Sequence, residues 1–306
     1  MSAATTTEGR DEAPGSDTAP ADGDDEAVDD RGDDGQPVVT LLDPGAEPRQ
    51  PLRFRLSPAT VQHAELVTDM TADLTVTGED APEPVGPQIL PTITMSLTAE
   101  VRSVDDRGSA KVTATYEDPV VGPGAFDPAQ RQAIEDALAR LDGASISITQ
   151  SSRGEVIYAD VDDLSTALGA SGIDPVSQLS SLAIPFPVEA VGVGAMWTAD
   201  QLVHSGPLRL QQRTTYTVTG LDGDVVTISA ELDQHLAPGS EDQGPNGTIE
   251  QYRTTGHSET VVDLTGPLPV SHHSTLDQVL VLRAPAGSTG SVDQRLQTAI
   301  AMTRTP

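Results

Sequence analysis

Cysteine is absent from this chain of 306 residues. That absence excludes thiol catalysis, cysteine-ligated zinc, iron–sulfur clusters and disulfides, and it leaves nothing to carry the lipid of a bacterial lipoprotein anchor. Aromatic residues are scarce at 3%, so a core has to be filled by Val, Ile, Leu and Ala, which occupy an interior less fully than Phe or Trp. Basic residues are few as well. Against 47 Asp and Glu stand 17 Lys and Arg, of which Lys111 is the one lysine, and the formal net charge is −30. A field of that sign repels phosphate backbones and anionic bilayers, so no nucleic-acid partner is expected. No apolar run approaches the roughly 18 residues of a membrane-spanning helix, so no transmembrane segment is expected. Met1–Gly9 shows neither the basic nor the apolar region of a signal peptide, so export would need a signal lying outside this stretch.

What is present falls into four segments. Residues 1–36 hold 12 Asp and Glu against two Arg with no periodic apolar positions, which predicts a disordered, self-repelling acidic tail. A first β-rich unit is expected over 37–160, a helical and Pro-rich joint over 161–193, and a second β-rich unit over 194–306. From Pro51 onward apolar and polar residues alternate with period two, the signature of half-buried strands. Leu52, Phe54 and Leu56 form one such set, Leu66 to Val76 a second, Ile93 to Val101 a third and Ala110 to Tyr116 a fourth. Residues 78–91 read as a Pro-rich loop between the second and third strands. Asp127 as N-cap, Pro128 at the first helical position, Gln130 in the capping-box position and Gly143 past the end predict a helix over 128–142. Its apolar stripe, Ile134, Leu138 and Leu141, should lie on a sheet. Two strands follow, around Ser145–Thr149 and Glu155–Ala159, then a weaker helix from Asp174 through Leu182. Further strands are expected at Ala195–Val203, Leu208–Thr219, Val225–Leu232, Ile249–Leu264, Leu276–Arg283 and Gln294–Thr303, with a loop over 238–247.

The two units resemble each other. Leu97–Asp118 and Thr214–Gln234 both read as a Thr-rich strand with a central Val, a turn of Asp and Gly, and a strand closing on polar residues. The stretches from Gly143 and from Gly256 form a second match in the same order, and the offsets are 113 to 117 residues. The expected fold is therefore α+β, mainly β: two related antiparallel units forming a curved sheet or half-barrel, with one amphipathic helix packed on the sheet. One wrapped sheet and two separate lobes both fit.

The run IPFPVEAVGVGAMW at 184–197, the Thr-rich strands after it and the late turn Gly266-Pro267-Leu268-Pro269 resemble an uncharacterised family of bacterial envelope proteins. The resemblance covers about 50–304. It implies a half-barrel loosely similar to the LolA and LppX lipoprotein-carrier fold and a place in the cell envelope, secreted or lipid-anchored. The sequence departs from that pattern in having no signal peptide and no lipobox cysteine. The family carries no established catalytic residues, so the resemblance transfers none.

Catalytic motifs are missing. There is no Gly-x-Ser-x-Gly elbow, phosphate-cradling glycine loop, dinucleotide fingerprint or HExxH helix. His272 and His273 are adjacent, so on a strand their rings point to opposite faces, and a metal site drawing also on His257 and Asp263 would need a turn. Asp160, Asp162 and Asp163 lack calcium-loop spacing. Asn246-Gly247-Thr248 matches a glycosylation acceptor but reads as a turn. No catalytic, metal-binding or cofactor-binding residue is assigned, and no cofactor is expected. The leading expectation is a non-catalytic extracytoplasmic protein that holds a lipid or other apolar small molecule between sheet and helix. The alternatives are a structural or interaction module of the cell surface with an envelope protein as partner and, last, an uncharacterised hydrolase.

Overall fold

The computed structural model describes residues 36–78, 85–124, 128–161, 182–205, 208–240, 248–284 and 290–306. They belong to one compact unit, Gly32–Pro306. The first half of the chain contributes strands β1 (Val38–Asp43), β2 (Gln50–Pro51), β3 (Val61–Thr77), β4 (Val85–Ile89), β5 (Ile93–Val104) and β6 (Ala110–Val121), then helix α1 (Pro128–Leu138) and strands β7 (Ser145–Gln150) and β8 (Val156–Val161). The second half adds β9 (Ala190–Val191), β10 (Met196–Ser205), β11 (Leu208–Asp222), β12 (Val225–Leu236), β13 (Thr248–Asp263), β14 (Ser271–Arg283) and β15 (Ser291–Thr305).

Thirteen of the strands form a single antiparallel sheet, in the order β1, β10, β11, β12, β13, β14, β15, β3, β5, β6, β7, β8 with β4 beside β3. Of the two arrangements open from sequence, the wrapped sheet is the one observed. Its halves meet where β15 pairs with β3 along Thr305↔His63 to Ser291↔Thr77. At the opposite end β1 crosses over to pair with β10, Val38↔Asp200 through Asp43↔Met196. The sheet is not closed by strand pairing. Its two edges nonetheless approach: the Gln36 amide donates to the carbonyls of Val156 and Ile157 on β8, at 3.2 and 3.5 Å.

The alternation read from sequence is the alternation of faces. Along β5 the residues Ile93, Met95, Leu97, Ala99 and Val101 are buried, and along β6 so are Ala110, Val112, Ala114 and Tyr116. Both matched hairpins carry the same irregularity: the register slips between Val101 and Ser103 in one and between Val218 and Gly220 in the other, 117 residues on. In each, the chain entering the preceding strand bridges that valine. Ala59 N donates to Val101 O and Val101 N to Thr60 O; Gly194 N donates to Val218 O and Val218 N to Ala195 O. Ala59 and Gly194 both take the left-handed backbone that this corner requires, with φ of 64° and 84°. The second sequence match is displaced by one position, because Ile148 and Thr260, the residues opposite Val112 and Ile228, lie 112 apart.

Four sequence expectations change. Leu52–Leu56 is extended and alternates in burial but joins no ladder. It runs as a strap whose backbone donates from Phe54 N to Ser152 O and from Arg55 N to Leu264 O, both at 2.7 Å. Period two reports which face is dry and says nothing of who supplies the hydrogen bonds. The loop expected over 78–91 contains β4, an edge strand where Pro87 is tolerated because only one side is paired. Strand β1 lies upstream of the first alternating set and was not anticipated. The α-helix ends at Leu138 instead of 142, since the last turn tightens into i→i+3 bonds, Arg140 N to Ala137 O and Leu141 N to Leu138 O, before Gly143 with φ 77°. Its stripe packs as expected: Leu138 and Leu141 are buried and Ile134 half-buried against β5 and β6. The Asp127 cap, the Gln130 side chain, the weaker helix over 174–182 except its last residue Leu182, and the acidic tail of 1–36 except Gln36 lie outside the described residues.

Candidate functional site

The second half of the sheet presents its inner face to two straps, 52–56 and 182–187. They are joined by the short β2 to β9 ladder, Gln50↔Val191 and Pro51↔Ala190. Half of the chain's eight aromatic residues stand in one file that runs from the straps to the sheet. Phe54 and Phe186 stack with centroids 5.5 Å apart, Phe186 meets Trp197 edge-on at 6.4 Å, and Trp197 stacks on Tyr216 at 5.4 Å. The Trp197 indole N–H donates to Pro185 O at 2.9 Å, which fixes the second strap to the sheet. Pro44, Ala46 and Gly192 bring the loops together so closely that a Cβ on Gly192 would stand 1.8 Å from Ala46 O.

Beside this file opens a cavity of about 580 Å³, within the range of small-molecule sites. The antiparallel registers set its lining out in rows. One row runs Tyr216, Ala230, Ser258, Ser274 and Ile300; the next runs Ala199, Thr214, Leu232, Gly256 and Leu276. A third row contributes Gln201, Gln212 and Gln234, and its register continues beyond the lining through Thr254 and Gln278. In it Gln234 donates to Gln212 at 3.0 Å and accepts from the Tyr252 hydroxyl at 3.2 Å. A second void of about 40 Å³, between Phe54, Val112 and Leu268, is large enough only for solvent.

His272 sits on the inner face, 5% exposed, with Nδ1 and the Thr260 hydroxyl 2.9 Å apart. Burial lowers its pKa to about 4, with repulsion from His273 adding to the shift, so the ring is neutral at neutral pH. Burial also raises the Tyr216 phenol to about 12, less a hydrogen bond with Thr214, and pushes Tyr252 up. Both tyrosines stay protonated. At Asp263 burial acts upward, but hydrogen bonds from Thr265 and the Arg304 ion pair outweigh it and hold the carboxyl below its ordinary value.

The structure disperses the residues weighed for a metal. His272 and His273 occupy one strand and point to opposite faces, His273 exposed and registered with Glu259. His257 is on the outer face and Asp263 is engaged by Arg304. No cluster of three metal-ligating side chains occurs among the described residues. Asp162, Asp163, the Asp160 side chain and Asn246-Gly247 lie outside them. The glutamine row was missed in the sequence because inner positions were sought by apolarity alone. The signal that could have found it is the turn to polar residues at inward positions of β11, Leu210, Gln212, Thr214, Tyr216, Val218.

Fold and cavity define an open, curved antiparallel sheet with an internal chamber beneath the 182–187 strap and, among the described residues, one helix packed on β6. No protein-family model matches the chain, and no curated protein matches it significantly. No helix among the described residues is long and apolar enough to cross a membrane.

Proposed function

We propose that this chain is a non-catalytic, extracytoplasmic protein that holds a small amphiphilic molecule inside its curved sheet. The observation that carries the proposal is the cavity of about 580 Å³ between the inner face of β10 to β14 and the 182–187 strap. Apolar floor residues such as Ala199, Leu232, Leu276 and Ile300 suit a hydrocarbon body, and the glutamine row suits its polar end. The sequence places an apolar ligand between sheet and helix; no residue of α1 lines this cavity, whose cover is the 182–187 strap, so the proposed site lies between sheet and strap. The non-catalytic part rests on His272. A ring neutral down to pH about 4 is a weak base, and among the described residues no carboxylate is bonded to it, so the Thr260 pair lacks the third member of a nucleophilic triad. The envelope location is the one implied by the resemblance of 184–197 and 266–269 to envelope proteins.

The test is binding of N-phenyl-1-naphthylamine, an uncharged apolar fluorophore that brightens in a dry site. The wild-type chain is expected to bind it saturably. Ala230→Phe, which places a ring in the chamber beside Tyr216, is expected to abolish binding while far-UV circular dichroism stays unchanged. Equal binding by a folded Ala230→Phe would place the ligand elsewhere and refute the proposal.

A further inference from the structure

From the sorting of charge across β10 to β14 we infer that the chamber selects an uncharged ligand, one whose hydrogen-bonding end meets the row of Gln201, Gln212 and Gln234. This deepens the proposed function and rests on it. The Asp, Glu and Arg side chains of these five strands stand on the outer face. There Asp200, Arg213 and Asp233 lie side by side, with Arg213 Nε 2.7 Å from Asp200. On the inner face of these strands the titratable residues among those described are His272, Tyr216 and Tyr252, and all three are uncharged near neutral pH; His204 and His257, exposed and one position off that face, reach the chamber only at its border. Among the described residues the one carboxylate lining the chamber, Glu155, is occupied by Arg153 at 2.6 Å and by Ser151 at 2.9 Å.

In a chain carrying −30 such sorting has a consequence for binding. A charged group entering the chamber gives up its hydration and finds no counter-charge among the described residues. An anion is opposed further by the field of the whole protein. An uncharged hydroxyl or amide loses only its hydrogen bonds to water, and the glutamines replace these, because each primary amide both donates and accepts. Gln234 already uses both capacities, toward Gln212 and Tyr252, which holds the row in a fixed orientation. Gly256 leaves the chamber wall bare of a side chain at its middle row, where a Cβ would stand 2.4 Å from Leu276 Cδ2.

The experiment compares three dodecyl probes on the full chain near neutral pH: monolaurin with its glycerol head, laurate, and dodecyltrimethylammonium. Binding is followed by the emission of Trp197, the only tryptophan, which is stacked on the chamber residue Tyr216. Monolaurin is expected to bind at least tenfold more tightly than either charged probe. Gln234→Glu, which preserves shape and adds one charge, is expected to shift the ranking toward the ammonium probe at least tenfold. Gln212→Leu is expected to weaken monolaurin and leave N-phenyl-1-naphthylamine binding intact. Laurate or the ammonium probe binding as tightly as monolaurin to the wild type would overturn the inference while leaving the ligand-holding function standing, as would an unchanged ranking in folded Gln234→Glu. Failure of all three probes together with N-phenyl-1-naphthylamine would overturn that function as well.

Discussion

Acidification should destabilise this fold through His272, and the size of the effect follows from where the ring sits. The side chain is 5% exposed, and burial brings its pKa from 6.5 to about 4. Between these values the unfolded chain takes up a proton that the folded chain refuses. Stability from this group is therefore complete above about pH 6.5 and is lost as pH falls toward 4. Over the whole window the loss approaches about 3 kcal/mol, most of it already incurred at about pH 4.5. Carboxylates titrate in the same range, so the informative quantity is a difference between proteins. Urea unfolding followed by Trp197 emission, at about pH 7 and about pH 4.5, would be run on the wild type and on His272→Gln, which keeps an acceptor for Thr260 but cannot be protonated. The wild type should lose roughly 2 kcal/mol more than the variant between the two pH values. Parallel losses in the two proteins would refute the reasoning, because they would mean that His272 is not held neutral by burial.

Truncating Phe186→Ala removes the middle of the aromatic file, fully buried between Phe54 and Trp197, and should cost about 3 to 5 kcal/mol in urea or thermal unfolding. Two nearby glycines should separate cleanly in the same assay. Gly192→Ala drives a Cβ to 1.8 Å from the Ala46 carbonyl and should cost more than about 2 kcal/mol. Gly194→Ala has open space around it and only a φ of 84° to bear, so about 1 kcal/mol is expected. Arg283→Ala breaks an ion pair with Glu250 on the outer face, but the arginine is 63% exposed, so the urea midpoint should be unchanged within error at physiological salt.

The fold was legible where face alternation and strand pairing coincide. Strands β5 and β6 follow their apolar residues closely, and the likeness of the two hairpins at Val101 and Val218 carries into shared bulges and shared bridging bonds. Legibility failed where the two came apart. Leu52, Phe54 and Leu56 alternate because one side of the strap is dry, although the backbone bonds to two unrelated loops. Strand β1 is short, with Leu42 58% exposed, so its pattern carries little signal, and its partner lies more than 150 residues away. The site was less legible than the fold for a similar reason. A residue such as Gln212 looks like surface until the register sets it beside Gln201 and Gln234, and only the paired sheet turns three scattered glutamines into one polar row. The histidine pair was readable to the extent that period two governs it: adjacent rings on a strand must part, and they do.

The most direct test of the central claim is native mass spectrometry of the full chain purified without detergent. The proposed function requires a population heavier than the polypeptide by the mass of one small molecule, released on denaturation, recovered uncharged in organic extract and displaced by added monolaurin. A polypeptide that shows only its bare mass, and stays bare after monolaurin is added, would contradict the claim that the curved sheet holds a ligand.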